Sequence, residues 1–235
     1  MEGHHRGGTR APFARKHRAA PSVLAALPGV TAAVTPKGER RRYALVSAAA
    51  ELLCEGGFEA VRHRAVARRA GLPLASTTYY FSSLDDLIIS AVEHIGMLEV
   101  ARLRARVADV SRRRRGAEST ADVLVDLLVS EEPGPGQSEQ LISRYGRYIA
   151  CARQPVLRKI QRRNVRQRAD AIAEAIERSG RSVRIELVAR LICAVDGAVI
   201  CALVEDEPVP RTAARASLIE IIDVLAPHDH QAVHI

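Results

Sequence analysis

From Tyr43 to Leu225 the apolar residues of this chain recur three and four positions apart, and the recurrence is cut only at breaks bearing glycine or proline. A period near 3.6 lines such residues along one stripe of a helix, whereas a half-buried strand alternates at period two. No alternating run of useful length interrupts the pattern. The spacing therefore predicts an all-α fold. With 235 residues and apolar side chains spread along its length, the chain can bury a substantial core. No uninterrupted apolar run approaches the ~18 residues that a membrane span needs, so no membrane partner is expected.

Punctuation divides the helices. Tyr43, Val46, Ala50 and Leu53 form the stripe of a first helix that Gly56-Gly57 stops, because glycine adopts the left-handed terminal conformation cheaply. Phe58 and Val61 follow as apolar anchors. A short helix over 62–70 leads to Gly71-Leu72-Pro73, where Gly71 suits a tight turn and Pro73 the first turn of a second short helix, 74–80. Ser83 followed by Asp86 reads as a helix cap. A long helix from Leu84 to about Arg112 has Leu87, Ile88, Ala91, Ile95 and Leu98 on its inner face and would span about 40 Å. Five further helices are predicted at 119–130, 138–153, 155–179, 182–204 and 211–225, with breaks at Glu131–Gly136 and Glu205–Pro210.

Charge is distributed unevenly. Residues 1–37 hold six basic residues against one acidic, and residues 39–81 hold seven against four. Everything after Phe81 has 22 of each sign, so the whole formal charge of +8 lies in the first third. A basic head on a neutral body fits a polyanion partner, since neutralising phosphates requires local positive charge. The bland alternative is a solvated basic tail. Cys54, Cys151, Cys193 and Cys201 are widely spaced without a CxxC pair, which suggests small core residues in a reducing cytosol, with a redox sensor as the alternative. A basic stretch followed by mildly apolar residues near the N-terminus faintly resembles a secretory leader. Pro21, Pro28 and Gly29 interrupt it, so 1–38 is read as a flexible basic arm.

The two short helices meeting at Gly71, with small Ala67 one turn earlier, have helix-turn-helix spacing. The second helix, Leu74-Ala75-Ser76-Thr77-Thr78-Tyr79-Tyr80, carries hydroxyls and aromatic edges suited to phosphates and bases. Residues 39–90, ERRRYALVSAAAELLCEGGFEAVRHRAVARRAGLPLASTTYYFSSLDDLIIS, resemble the N-terminal domain of the TetR family of bacterial regulators. The resemblance rests on the Gly-Phe turn, Val66-Ala67, Ala70-Gly71, Tyr79-Tyr80-Phe81 and Asp86-Leu87 in the family's order. It implies a homodimer reading a pseudo-palindromic double-stranded DNA operator, often as a repressor released by a small-molecule effector. Three positions depart from the family pattern: Thr78 stands for a usual tyrosine, Leu84 for a frequent lysine and Arg62 for a common threonine. Phosphate contacts are therefore expected from Arg40, Arg41, Arg42, Arg62, Arg64 and Tyr79. Base edges are expected to be read by Ser76 and Thr77 on the exposed run Leu74, Ala75, Ser76, Thr77 and Thr78. Tyr80 and Phe81 should face the core.

The domain reading is an arm (1–38), a helix-turn-helix (39–83), a helical dimerisation and ligand-sensing domain (84–225) and a flexible tail (226–235). Helix 182–204 is apolar nearly all round and must be covered on more than one side. Together with helix 211–225 it is the expected dimer interface. Asp196 within it needs a partner, an arginine of the same lobe being favoured over a ligand. Arg144, Tyr145, Tyr148 and Cys151, with Asp196, are candidate effector-pocket residues, although ordinary core packing explains the tyrosines equally simply. The basic stretch 158–168 reads as a solvent face. His4, His5, His228, His230 and His234 sit near the ends and read as solvated. No catalytic set, metal site or cofactor motif is present, so enzyme activity is not expected. A helical adaptor whose basic head binds RNA or an acidic protein is the alternative to a DNA-binding regulator.

Overall fold

The computed structural model describes residues 37–129, 136–205 and 209–228. Residues 1–36 of the expected arm, most of the two predicted breaks, and His4, His5, His230 and His234 lie outside the described residues. Among those described there are nine helices and no strand: α1 (Lys37–Ala60), α2 (His63–Ala70), α3 (Leu74–Tyr80), α4 (Leu84–Asp109), α5 (Ala117–Leu128), α6 (Gln137–Ala152), α7 (Pro155–Arg178), α8 (Ile185–Ala202) and α9 (Pro210–Leu225).

The glycine stop in α1 is where the sequence puts it. Gly56 (φ −139°) and Gly57 (φ 67°, ψ −165°) leave helical geometry, and a last turn follows to Ala60. Lys37 and Gly38, assigned to the arm, already belong to α1. The buried stripe of this helix is Leu45, Val46, Ala49, Ala50 and Leu53. Tyr43 corrects the predicted stripe: it is 59% exposed, its ring meeting that of His94 edge-on at 5.3 Å.

Two apolar clusters result. One gathers α1, Val61, Val66 and Phe81 with Leu87, Ile88, Ala91, Val92 and Ile95 of α4, and is closed by Cys151 of α6 and Leu157 and Ile160 of α7. The other fills the lobe between α5, α7, α8 and α9, around Leu124, Ile172, Ile176, Leu191, Leu218 and Ile222.

Where helix ends differ from expectation, backbone bonding gives the reason. α4 stops at Asp109, short of Arg112, because the chain turns extended and the amides of Arg113 and Arg115 donate to the carbonyls of Arg178 and Ser179, each at 3.0 Å. α8 starts at Ile185, three residues late, because the Ser182 amide donates to Pro227 O at 2.9 Å. The expected tail is corrected at its start: Ala226 is fully buried, and the backbone of His228 bridges that of Arg181. Arg181 ties this end together, donating to Thr120 Oγ1 (3.1 Å) and Ala226 O (2.9 Å) and pairing with Asp223 at 2.8 Å. His228, read as solvated, is part-buried with Nδ1 3.4 Å from Gly180 O.

Where α4 meets α7, a Cβ added at Gly96 would overlap the carboxamide of Asn164. Overfilling a packed site typically costs about 1–3 kcal/mol. Gly96→Ala should lower unfolding stability by about that amount in urea titration, and Gly96→Ala with Asn164→Ala should recover most of the loss, since the two changes share one contact.

Candidate functional site

The turn between α2 and α3 is built by backbone chemistry. Gly71 takes φ 65°, ψ 29°, its amide donates to Arg68 O (3.3 Å), and the Leu72 amide donates to Ala67 O (3.0 Å). These bonds satisfy the last carbonyls of α2, and only a residue tolerant of positive φ fits there cheaply. Pro73 (φ −56°, ψ 145°) starts α3 as its N-cap rather than lying within its first turn, and its carbonyl accepts from the Ser76 amide at 2.9 Å. Ser83 caps α4 as expected, its Oγ accepting from the Asp86 amide at 3.0 Å.

α3 divides into an anchored and a displayed side. Thr77 is fully buried and its hydroxyl donates to Leu74 O at 2.8 Å. This corrects its assignment to base reading: on a seven-residue helix, one turn that packs inward cannot also face a groove. Phe81 is buried and Tyr80 packs beside it, as expected. Leu74, Ala75, Thr78 and Tyr79 face outward, Tyr79 being 81% exposed, and Ser76 is half-buried between the two sides. Thr78 Oγ1 donates to Ala75 O (3.2 Å), and Tyr79 stands edge-on to Tyr80 with centroids 4.8 Å apart.

The arginines of this head differ in their commitments. Arg40, Arg41, Arg42 and Arg64 are exposed. Arg42 also lies over the Phe81 ring, 5.2 Å from its centroid, within cation–π range. Arg62, the extended residue preceding α2, pairs with Glu59. Arg69, which the sequence reading passed over, braces α2 against α1 through Glu55 (2.7 Å) and Glu51 (3.2 Å). Its hydrogen bond holds the Glu55 carboxyl below the ordinary range, against the opposing effect of burial.

The five candidate effector residues do not form one site. Tyr145 and Asp196 do meet: the Tyr145 hydroxyl donates to Asp196 Oδ1 at 3.0 Å. Arg168 donates to both oxygens of that carboxylate, each at 3.1 Å. Asp196 therefore has the arginine partner expected of it, and Arg168 corrects the reading of 158–168 as wholly solvent-facing. The buried positions of α7 explain why: Leu157, Ile160, Ala171 and Ala175 set a three-and-four register onto which Arg168 falls, a signal present in the sequence. Burial, then Asp196, pushes the Tyr145 phenol well above its ordinary pKa, so it remains a donor.

The remaining three residues go elsewhere. Tyr148 stands edge-on to Tyr145 (6.1 Å) and turns toward a groove between α6 and α7. Arg144 donates to Leu128 O at 2.9 Å, satisfying the end of α5. Cys151 is fully buried in the head-side cluster. Burial pushes the Cys151 and Cys54 thiols up, away from the thiolate form a reactive cysteine needs. Cys193 and Cys201 correct the core reading, since both are exposed on α8.

Sequence reasoning also gave Arg147 no particular role. It is buried, pairs with Glu99 of α4, and lies 3.9 Å from Cys54 Sγ in α1. Beside it, Ser143 donates to Cys54 O at 2.6 Å. Among the described residues no group of three potential metal ligands exists, and no helix is long and apolar enough to cross a membrane.

Among the described residues, nine helices with a glycine turn presenting a short exposed helix from a basic head have the architecture of a helix-turn-helix DNA-binding regulator. Residues 45–91 match the model of bacterial regulatory proteins of the tetR family, and residues 115–224 match a tetracyclin repressor-like C-terminal domain. The chain belongs to the TetR family. It is 25% identical over 193 residues to the HTH-type transcriptional regulator BetI of Burkholderia mallei (strain NCTC 10229), covering 80% of this chain and 95% of BetI. Among solved structures, the multidrug binding protein EbrR complexed with imidazole is 26% identical, with a TM-score of 0.57 over 77% of this chain and 94% of EbrR. A Saccharomonospora viridis protein in complex with choline shares the fold at 20% identity, with a TM-score of 0.61 over 80% of this chain and 98% of its own.

Removing one partner of a largely buried ion pair leaves the other charge uncompensated, at a cost of about 3–5 kcal/mol. Asp196→Ala should destabilise the protein by about 3 kcal/mol, the low end, because the carboxylate retains 22% exposure. Asp196→Ala combined with Arg168→Met should unfold at a denaturant midpoint much nearer the parent's.

Proposed function

We propose that this chain is a ligand-responsive repressor that binds a palindromic operator as a homodimer. The observation that carries the reading is α3, a helix anchored by Thr77 and Phe81 that displays Ala75, Thr78 and Tyr79 outward, with Ser76 at its edge. Ser76 and Thr78 are the residues assigned to base edges. Tyr79 and the exposed Arg40, Arg41, Arg42, Arg62 and Arg64 are assigned to phosphates. Regulation by a ligand is supported by EbrR, solved with imidazole, proflavin, malachite green and ethidium.

The dimer reading rests on α8 and α9. One side of α8 packs inside the protomer through Val188, Leu191, Val195 and Val199. The opposite side leaves Ala189, Cys193, Gly197, Ile200 and Cys201 exposed, with Val204 just past its end, an apolar and small-residue stripe suited to close approach of a second copy. Thr212, Ala216 and Val224 of α9 are exposed as well. A twofold interface here would set two recognition helices in successive turns of one DNA face.

Selection from a random duplex pool at about 150 mM salt should enrich an inverted repeat with half-site centres about 34–36 Å apart. Ser76→Ala and Thr78→Ala should relax the selected sequence, each by about 1–3 kcal/mol of discrimination. Arg41→Ala should instead weaken all sequences alike and lower the salt slope by about one. Thr77→Ala should change stability and leave the selected sequence intact. Binding that only fades with salt, with no sequence enriched, would refute sequence reading and favour the RNA or acidic-protein adaptor.

The interface has its own test. A side chain at Gly197 meets open space within the protomer. Gly197→Glu should therefore leave helix content unchanged and shift the sedimenting species from dimer to monomer. A dimer that survives Gly197→Glu at micromolar concentration would remove α8 from the interface.

A further inference from the structure

Between the end of α6 and the first half of α7 runs an open groove of about 260 Å³. Its surface is almost wholly apolar, supplied by Tyr148 and Ala152 of α6, by Val165 and Gln161 of α7 and by the stems of Arg158, Arg162 and Arg166, whose charged heads form the rim. Among the described residues no acidic side chain lines it. The three arginines are spaced four apart, so they share one face of α7. Arg158 is fixed in place, donating from Nε and Nη2 to Ala152 O at 3.0 and 2.7 Å. Among the described residues Arg162 and Arg166 have no ion-pair or hydrogen-bond partner, while Arg163, on the adjoining face, is paired with Glu93 at 3.5 Å. Three like charges along one rim repel one another, and an anion bridging them relieves that repulsion through charge-assisted bonds.

We infer that this groove binds a small amphipathic anion, a carboxylate or phosphate head on a single aromatic or short apolar body. The head bridges Arg162 and Arg166, and the body lies on Tyr148, Ala152 and Val165. The volume falls just below the usual range of about 300–1,000 Å³ for ligand sites, which favours one compact body over a large multi-ring dye. A cation is disfavoured twice over. The rim repels it, and Asp196, the carboxylate of the lobe's polar cluster, is already taken by Arg168 and Tyr145. The effector class thus differs from the choline and ethidium bound by the fold relatives. This inference rests on the proposed sensing role only for its regulatory meaning; occupancy is measurable without DNA.

Equilibrium dialysis of the full chain with 1-naphthaleneacetate and, separately, with 1-naphthylmethylammonium tests charge preference at matched size. The chain contains no tryptophan, so naphthalene emission is read without its background. The expected result is saturable binding of the acetate at one per protomer, at least tenfold tighter than the ammonium. Arg162→Gln with Arg166→Gln should weaken the acetate at least tenfold and leave thermal unfolding unchanged, both residues being exposed. Tyr148→Ala should weaken both probes. Equal binding of the two probes, acetate binding untouched by the double variant, or no saturation of either probe by about 1 mM would each overturn the inference. Titrating the acetate against a selected DNA duplex then separates the two readings. Groove occupancy that leaves DNA affinity unchanged removes the regulatory role and keeps the site.

Discussion

The head of this protein has no core of its own. Helices α1–α3 contribute Leu45, Leu53, Val61, Val66 and Phe81, but the cluster they start is closed by Leu87 to Ile95 of α4, Cys151 of α6 and Leu157 and Ile160 of α7. A segment of some forty residues buries too little surface to stand alone, and here it borrows the lobe's helices to complete its interior. The orientation of α3 is therefore set by elements that also wall the lobe. A boundary drawn at residue 83 separates sequence motifs; the packing runs across it.

The two faces of α6 make this dependence directional. Ser143, Arg147 and Cys151, each four residues from the next, meet Cys54, Glu99 and the head cluster. Tyr145 and Tyr148, on the neighbouring face, meet Asp196 and the α6–α7 groove. The partner of Ser143 and Arg147 in α1 is Cys54, just before Gly56 and Gly57 break the helix. A shift of α6 thus acts on α1 next to its weakest point.

Much of this was legible because local chemistry dictates it. Gly71 and Pro73 delimit α3 to the residue, and the Ser83 cap starts α4 where the sequence says. Periodicity identified the longer helices because each carries an apolar stripe, whereas α3, with only Thr77 buried, was marked by its turn residues. Illegible were contacts between residues far apart in the chain. Nothing near Arg113 announces that its amide will bond Arg178, which is what ends α4 early. Thr77 looked available because hydroxyls suit bases, yet on so short a helix the register is fixed by Phe81 and the turn, and those rotate Thr77 inward. Cys193 and Cys201 looked like core residues because α8 is apolar all round, a pattern that tells how much surface must be covered and leaves open whether the cover lies within the protomer. Arg168 hid in a run of basic residues, although the register of α7 puts it on the buried side.

Energetics decide which link can carry a signal on the proposed reading. Allosteric coupling of about 1–3 kcal/mol suffices to change an affinity 5–150-fold. One net hydrogen bond contributes about 0.5–1.5 kcal/mol, and one involving a charge about 1.5–3. The Ser143–Cys54 bond and the Arg147–Glu99 pair together span that range, whereas the apolar contacts of Cys151, Leu157 and Ile160 are too numerous to exchange without unfolding the head. A ligand that prefers one position of α6 need only weaken those two polar links, one to α1 and one to α4, to alter how α6 holds the head, leaving the shared core intact. The requirement is differential affinity for the two positions, and a groove wall made partly of α6 itself provides the place where such a preference arises.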